Sequence, residues 1–209
     1  MLPCLITAGA TRNPVDAIRY LSAGASGQTG VTMAQRLAAH GCTVTLLGSV
    51  EALLRAPTPQ QFVCEEYGST RDLMARMERW SRAHPMGVIL HSAAVGDYEA
   101  RTTATKIPSG RPELVLSLTP APKILDAIRG WEHHGPLVSF KAASPETTDE
   151  ALTQIARAQL ERTRSDLVFA NVIGRTSADV QLVSATDVLH FPTRSSAIDA
   201  LLAWVLARP

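Results

Sequence analysis

Short apolar runs alternate with longer stretches of helical spacing along most of this chain. Such alternation is typical of parallel strands joined by crossover helices, because a parallel strand buried on both faces reads as a continuous apolar run. The chain is therefore expected to form an α/β fold. The predicted strands are Leu2–Thr7, Thr43–Leu47, Gln61–Glu65, Gly87–His91, Leu137–Phe140 and Leu167–Ala170.

The segments between these runs predict helices, and two later runs predict a small hairpin. Helices that cross over both faces of a parallel sheet give three layers. The pattern therefore predicts a Rossmann-like three-layer α/β/α fold with a mostly parallel sheet and a small C-terminal β-hairpin. The predicted helices are Gly27–His40, Thr70–Ala83, Ala121–Arg129, Pro145–Arg164 and Arg194–Ala207, and the hairpin pairs Val180–Ser184 with Val188–Phe191.

The composition narrows the class of protein. The chain has 209 residues, of which 45% are hydrophobic, and a formal net charge of +1. A chain of this length buries one substantial core, so residues 1–209 are expected to form a single domain. The balanced charge, the short apolar runs and the absence of a basic n-region predict a cytoplasmic protein without nucleic-acid or membrane partners. Cys4, Cys42 and Cys64 lack metal-site spacing, so we expect small buried hydrophobes and no metal site.

The first apolar run leads into a glycine-containing loop. The run ends at Gly9, and a Ser/Gly-rich segment then closes on Ser26, Gly27 and Gly30 before a stretch of helical spacing. The start of a helix is a natural phosphate site, since its unpaired N–H groups and its dipole favour negative charge. The order strand, loop, helix therefore predicts a nucleotide-binding site, although glycines also serve ordinary tight turns.

Glycine and polar residues also follow the other predicted strands. In an open parallel sheet the ligand crevice lies beyond the carboxyl ends of the strands. The segments at those ends should therefore converge on one site. They are Gly9–Arg12, Ser92–Tyr98, Lys141–Ala143 and Asn171.

Residues 94–112 form the longest stretch without clear periodicity, and they contain Lys106. A loop of this length in a compact domain is often a functional flap. An ammonium on such a flap would offset the negative charge that builds up in phosphoryl or nucleotidyl transfer. The alternative is a solvated loop lysine.

Seven segments spread over most of the chain carry a family resemblance. They are Ile6–Ser22, Ser26–Gly30, Ala93–Tyr98, Lys106–Ile107, Leu118–Pro120, Ser139–Lys141 and Asp166–Asn171. In this order they resemble the phosphopantothenoylcysteine synthetase family, also called phosphopantothenate-cysteine ligase.

The resemblance implies a ligase of coenzyme A biosynthesis. Members use a nucleoside triphosphate, CTP in most bacteria and ATP in eukaryotes, with Mg²⁺, to convert the carboxylate of 4'-phosphopantothenate into an acyl-nucleotide. The amine of cysteine then displaces the nucleotide. Members of this type are homodimers in which the flap extends towards the neighbouring subunit's site.

The resemblance also assigns site residues. Lys106 matches the flap lysine that assists formation of the acyl-nucleotide, and it would act in trans in such a dimer. The other matching positions bind the nucleotide. They are Gly9, Ser26 and Gly27 for the phosphates, His91, Ser92, Ala93, Asp97, Phe140 and Lys141 for the base and ribose, and Asn171 at the end of the sixth strand.

Several positions depart from the family pattern. Ala23 stands where the family has an asparagine associated with turnover of the acyl-nucleotide, and Gln28 replaces a lysine or arginine. Val172 replaces an aspartate, and Arg194 substitutes for a late lysine only with a shift of register. Alanine offers neither donor nor acceptor, and losing one such hydrogen bond slows a reaction by about 100- to 1,000-fold.

Two hypotheses follow from these departures. The chain is either an active ligase, with Ser22 or Ser26 in place of the missing amide, or a divergent member that binds nucleotide or phosphopantothenate in another or regulatory role. A nicotinamide-dependent oxidoreductase is disfavoured because the chain lacks a compact GxGxxG and a TyrxxxLys pair. Many relatives are fused to a flavin-dependent decarboxylase, so a separate decarboxylase is a hypothesis for a partner.

Two further pairs have structural interpretations. Asp16 and Arg19 are expected to form a local ion pair that orders the first loop. His133 and His134 are expected at a solvated helix end rather than in a metal site.

Overall fold

The computed structural model describes residues 1–58, 61–101, 103, 105–110, 112–175 and 177–208. Its central sheet contains β1 (Pro3–Ala8), β4 (Thr43–Gly48), β5 (Val63–Glu66), β6 (Val88–His91), β9 (Leu137–Ala143), β10 (Leu167–Val172), β11 (Ala178–Val183) and β12 (Val188–Thr193). Within the described ranges these strands lie in the order β12-β11-β10-β9-β6-β1-β4-β5. Every neighbouring pair from β10 to β5 is parallel, and β11 and β12 add an antiparallel edge.

Helices cover both faces of this sheet. They are α1 (Gln28–Ala39), α2 (Val50–Leu53), α3 (Thr70–Ala83), α4 (Ile124–Ala127) with a 3₁₀ turn (Ile128–Trp131), α5 (Asp149–Thr163) and α6 (Arg194–Leu206). Side chains of β1 alternate between the layers, because Ile6 packs in the cluster with α1 and α6 whereas Leu5 packs in the cluster with α3. The predicted Rossmann-like three-layer fold is confirmed.

Two small hairpins outside the sheet were not predicted. β2 (Arg12–Pro14) pairs with β3 (Tyr20–Ser22), and β7 (Tyr98–Ala100) pairs with β8 (Leu118–Pro120). Each of their four strands has three residues, and most of these residues are exposed. The strands therefore lack the apolar alternation that would identify them from the sequence.

Two helices begin later than their periodicity predicts. α5 begins at Asp149 rather than near Pro145, because Thr148 caps it by accepting the Ala151 N–H at 3.2 Å. The stretch expected to be helical from Ala121 begins its helix at Ile124. None of the helices in the described ranges is long and apolar enough to cross a membrane.

The expectation of a solvated His133 is wrong. This side chain is 1% exposed, and neither ring nitrogen makes a hydrogen bond to a described residue. Burial, together with the nearby Arg129 charge, lowers the pKa of His133 to about 4. The residue is a neutral part of the core, whereas His134 is exposed as expected.

Candidate active site at the carboxyl edge of the sheet

The loop before α1 is held against the end of β1 by two glycines. Gly9 and Gly27 both have positive φ, +87° and +76°. A Cβ on Gly27 would lie 2.8 Å from the Gly9 nitrogen and 2.4 Å from the Ala52 Cβ, so no larger residue fits without movement. The strand end, the loop and the helix start are therefore in close contact.

The start of α1 has the features of an anion site. The helix has 12 residues and no acidic residue in its first turn, and its N-cap residue, Gly27, makes no side-chain cap bond, although the Gln28 N–H lies 3.4 Å from Ser26 Oγ. Gln28, Thr29 and Gly30 line a cavity of about 300 Å³ together with Gly9, Ser26 and Gly27. The first N–H groups of the helix and its dipole thus favour a negative ligand in this narrow cavity.

A wider cavity of about 350 Å³ opens beyond the ends of β6 and β9. Both cavities are lined by Ser92, Ala142, Asn171 and Arg194, so together they form one continuous site. The structure brings most of the predicted residues to this site. The wide cavity has His91, Ser92, Ala93, Asp97, Phe140, Lys141 and Asn171, and the narrow cavity has Gly9, Ser26, Gly27, Ser92 and Asn171.

Hydrogen bonds to Thr7 on β1 fix the end of β6. The Ser92 hydroxyl donates to the Thr7 carbonyl at 2.6 Å, and the Ala93 N–H donates to Thr7 Oγ1 at 3.0 Å. His91 Nδ1 lies 2.9 Å from the same Oγ1. Burial lowers the pKa of His91 to about 4, so the imidazole is a neutral wall of the site at physiological pH.

Arg194 joins the two cavities and is the main site residue that the sequence did not assign. Its Nε donates to Thr29 Oγ1 at 3.0 Å, and its Nη1 donates to Asn171 Oδ1 at 3.3 Å. The guanidinium lies 5.0 Å from the centre of the Phe169 ring, and burial lowers its pKa, although an arginine remains charged. Arg194 is the first residue of α6, and its side chain extends towards Thr29 in the first turn of α1.

Cations predominate around the wide cavity. Lys123, Lys141, Arg162 and Arg194 line it, and Lys123 forms an ion pair with Asp97 at its rim. Arg162 forms a second ion pair with the other lining carboxylate, Asp126. The described residues contain no cluster of three His, Cys, Asp or Glu side chains suited to a metal ion. This donor set suits a ligand that brings several negative charges, with or without its own counter-ion.

The predicted flap lysine does not join this site within one chain. Lys106 lines a separate surface cavity with Ile107, Leu114 and Val115. The Asp16–Arg19 ion pair predicted in the first loop is present and contacts the same segment.

The departures in the loop have different positions. Ala23 and Ser22 are exposed, and neither lines the narrow or the wide cavity. Ser26 and Gln28 line the narrow cavity. Of the two serines considered as replacements for the missing amide, Ser26 is therefore the one at the site.

Comparison with known proteins gives a consistent result. The family model for the DNA/pantothenate metabolism flavoprotein C-terminal domain matches residues 2–201. The coenzyme A biosynthesis bifunctional protein CoaBC of Thermococcus kodakarensis is 36% identical over 170 residues, which are 81% of this chain and 41% of that protein. The protein of the same name from Escherichia coli is 30% identical over 182 residues, which are 83% and 42%. The chain thus spans about two fifths of the length of these relatives.

A solved structure also matches over the whole length. The DNA/pantothenate metabolism flavoprotein of Streptococcus pneumoniae superimposes with a TM-score of 0.89 at 26% identity and covers 99% of both chains. The family predicted from seven short segments is confirmed, and the chain belongs to the DNA/pantothenate metabolism flavoprotein C-terminal domain family.

Proposed function

We propose that this chain is a phosphopantothenate-cysteine ligase, which forms the amide between 4'-phosphopantothenate and cysteine in coenzyme A biosynthesis. The observation that carries the proposal is the continuity between the anion site at the start of α1 and the wide cavity, through Ser92, Asn171 and Arg194. A nucleoside triphosphate has the same two parts. The names of the relatives, which are coenzyme A biosynthesis proteins, support the same pathway.

The triphosphate, bound as its Mg²⁺ complex, would occupy the narrow cavity. N–H groups of α1 and the Arg194 guanidinium donate to its oxygens, and Ser26 adds a hydroxyl. The ribose and base would extend into the wide cavity against Phe140 and the backbone that follows β6. Mg²⁺ retains waters and is bound largely by substrate phosphates, so it enters with the nucleotide rather than as a resident ion.

The chemistry proceeds in two displacements. A carboxylate oxygen of 4'-phosphopantothenate attacks the α-phosphorus, the bond to the β-phosphate oxygen breaks, and pyrophosphate leaves. The cysteine amine then attacks the acyl carbon, the nucleoside monophosphate leaves with its new oxygen, and the amine loses a proton. Lys106 would stabilise charge in the first displacement. CTP and ATP both fit this scheme.

A second copy of the chain would complete the site. Lys106 lies outside both cavities of its own chain. The arm made of the β7–β8 hairpin and the segment between its strands exposes apolar side chains, including Val115 at 80%. Apolar side chains such as Tyr98, Leu114 and Leu118 are also well exposed on this arm. A homodimer in which the arm packs on the partner would cover these groups and bring Lys106 to the neighbouring site.

Mixing two impaired variants tests this arrangement, with the nucleotide at a concentration that the Arg194→Ala protein binds poorly. The Lys106→Ala chain keeps both nucleotide-facing cavities intact, and the Arg194→Ala chain keeps Lys106. In a heterodimer with sites shared between chains, one site is fully wild type, so an equal mixture after subunit exchange should recover up to about a quarter of wild-type activity. Recovery no greater than the sum of the two parents would show that Lys106 acts within its own chain.

The proposed ligase is tested by pyrophosphate release. Purified protein is incubated with Mg²⁺, 4'-phosphopantothenate and either CTP or ATP, with and without cysteine. Cysteine-dependent turnover would support the ligase and identify its nucleotide. Release limited to about one equivalent per site would indicate a stalled acyl-nucleotide, as the departure at Ala23 suggests. No release by a folded protein that binds nucleotide would overturn the ligase and favour the divergent binding protein. A flavin-dependent decarboxylase is proposed as its partner in the pathway, and the cytoplasm as the place where the ligase acts.

A further inference from the structure

A buried carboxylate in the first loop binds the residue next to the flap lysine. Asp16 lies between β2 and β3, and its side chain is 0% exposed. Its Oδ2 accepts the N–H of Ile107 at 2.9 Å and also binds the Arg19 guanidinium. Arg19 Nη1 in turn donates to the Ile107 carbonyl at 3.3 Å. Asp16 and Arg19 therefore hold both backbone polar groups of the residue that follows Lys106.

The carboxylate is itself held by its own loop. Asp16 Oδ1 accepts the N–H groups of Ile18 at 2.9 Å and of Arg19 at 2.8 Å. The N–H of Ile107, with these local N–H groups, lowers the pKa of Asp16 to about 2. The group is therefore ionised at physiological pH, and its bond to Ile107 is charge-assisted and directional.

The same loop also binds the segment that leads into the flap. The Asn13 amide donates to the Tyr98 carbonyl at 2.9 Å and accepts the Thr70 N–H at 2.9 Å at the start of α3. Thr11 Oγ1 accepts the Gly96 N–H at 2.8 Å. The loop is thus fixed to the body of the protein and provides a rigid support on which the flap backbone rests.

This support is continuous with the phosphate loop. The hairpin of β2 and β3 contains Asp16 in its connection, and β3 ends at Ser22, which leads directly to Ser26 and Gly27. One short hairpin therefore contacts the segment that carries the lysine and precedes, along the chain, the loop that faces the triphosphate.

We propose that Asp16 is a positioning residue for Lys106. Its bond to the Ile107 N–H fixes the position and direction of the backbone that carries the lysine. The proposal rests on the proposed ligase function and adds to it a residue that does not touch substrate. Without the Asp16 bond the flap remains attached through Tyr98, Gly96 and the Thr103 N–H bond to the Val15 carbonyl, but beside Lys106 only the 3.3 Å bond of the Ile107 carbonyl to Arg19 is left. The lysine then spends less time where charge builds up in acyl-nucleotide formation.

Asp16→Asn separates the flap bond from the loop bonds. The asparagine carbonyl can still accept the two N–H groups of its own turn, a role that asparagine fills well. Its NH₂ group then faces the Ile107 N–H and the Arg19 guanidinium, which are donors, so the flap contact is lost. The matched control is Asp166→Asn. Asp166 accepts the Leu137 N–H at 2.7 Å and the Arg129 guanidinium at 2.8 Å, and it lies at the opposite edge of the sheet.

The kinetic experiment is a double-mutant cycle on single-turnover pyrophosphate release. In the background that retains Lys106, Asp16→Asn should slow pyrophosphate release by about 10- to 100-fold, which is the effect of losing a hydrogen bond to a charged group. The nucleotide Kd should stay within about threefold of the wild-type value. In the Lys106→Ala protein the same substitution should change the rate by less than about twofold, because the group that it positions is absent. Asp166→Asn should leave the rate unchanged in both.

An exchange experiment keeps the inference independent of activity. The Ile107 amide should be protected from hydrogen exchange in the wild type and exchange faster in Asp16→Asn, with no change in Asp166→Asn. Equal slowing of pyrophosphate release in both Lys106 backgrounds, or an unchanged Ile107 exchange rate, would overturn the positioning role. If the wild type releases no pyrophosphate, the proposed function fails by itself. The contact is then decided by Ile107 exchange alone.

Discussion

Two aspartates of this molecule form the same contacts at opposite edges of the sheet. Each accepts a backbone N–H from another segment and binds an arginine: Asp16 with Ile107 at the carboxyl edge, and Asp166 with Leu137 at the amino edge. Asp166 joins the starts of two neighbouring strands and is 45% exposed, whereas Asp16 joins a loop to a flap and is fully buried. The two sets of contacts are chemically alike. At the amino edge they join two strands of the sheet, and at the carboxyl edge they join a loop to the segment that carries Lys106.

The two buried histidines show the same contrast. His91 is bonded to Thr7 and lines the wide cavity, while His133 has no hydrogen-bond partner among the described residues. Both are neutral because burial lowers their pKa values. The comparison predicts that changes at the carboxyl edge alter activity more than stability, and that changes at the amino edge do the reverse.

The largest effect is expected for Lys106→Ala. Lys106 is exposed, and its removal should cost little stability. Loss of a charge that stabilises the first displacement should slow single-turnover pyrophosphate release by about 100- to 1,000-fold, with nucleotide affinity almost unchanged. Rapid-quench kinetics and nucleotide titration measure the two quantities. A variant that loses affinity but not rate would contradict the assigned role.

Substitution of one arginine at each edge of the sheet compares the two edges directly: Arg194 at the carboxyl edge and Arg129 at the amino edge. Arg194→Ala should weaken nucleotide binding by about 10- to 100-fold, since it removes a charged donor to phosphate, and should lower the unfolding free energy by about 1 kcal/mol, because its bonds to Thr29 and Asn171 are also lost. Arg129 donates to the carbonyls of His133 and Gly135, so Arg129→Ala should cost about 2 kcal/mol of stability and leave nucleotide affinity unchanged. Isothermal titration and urea denaturation distinguish them. Equal losses of affinity in the two variants would remove the distinction between the edges.

The smallest effect at pH 7 is expected for a change at His133, and it comes with a pH dependence. Both histidines have a folded pKa of about 4, below the ordinary value of 6.5, so the unfolded chain binds more protons between these limits. Stability is therefore full above pH 6.5 and falls as the pH drops towards 4, by up to about 3 kcal/mol per histidine. His133→Leu should remove one of these contributions and add about 1 kcal/mol at pH 7, because it removes an unpaired polar group. Urea midpoints between pH 4 and 7 measure it, and an unaltered pH dependence in His133→Leu would contradict the assignment.

The central strands of the sheet were predictable because they are buried on both faces. Runs such as Leu167–Ala170 are apolar at every position, and the structure only extends this one to Val172. The β7–β8 hairpin was missed for the opposite reason, since Leu118–Pro120 is exposed and stabilised by pairing rather than by burial. Helix starts depended on caps such as Thr148, which periodicity does not detect.

The site was predictable where it follows strand ends. His91 and Phe140 end their predicted strands and Asn171 follows one, and the structure brings the three together although β9 and β10 extend further, to Ala143 and Val172. Arg194 was not assigned, because its role depends on the distance between the starts of α1 and α6. The contact of Asp16 with Ile107 joins residues 91 positions apart, so only the fold reveals it.

The central claim is that the carboxyl edge of the sheet activates a carboxylate by nucleotidyl transfer. The most direct measurement uses 4'-phosphopantothenate labelled with ¹⁸O in its carboxylate, together with cysteine, Mg²⁺ and the nucleotide that supports turnover. The account predicts one ¹⁸O in each nucleoside monophosphate released and none in pyrophosphate, because the attacking oxygen stays on the α-phosphorus. Label in inorganic phosphate, with a nucleoside diphosphate as product, would contradict the account.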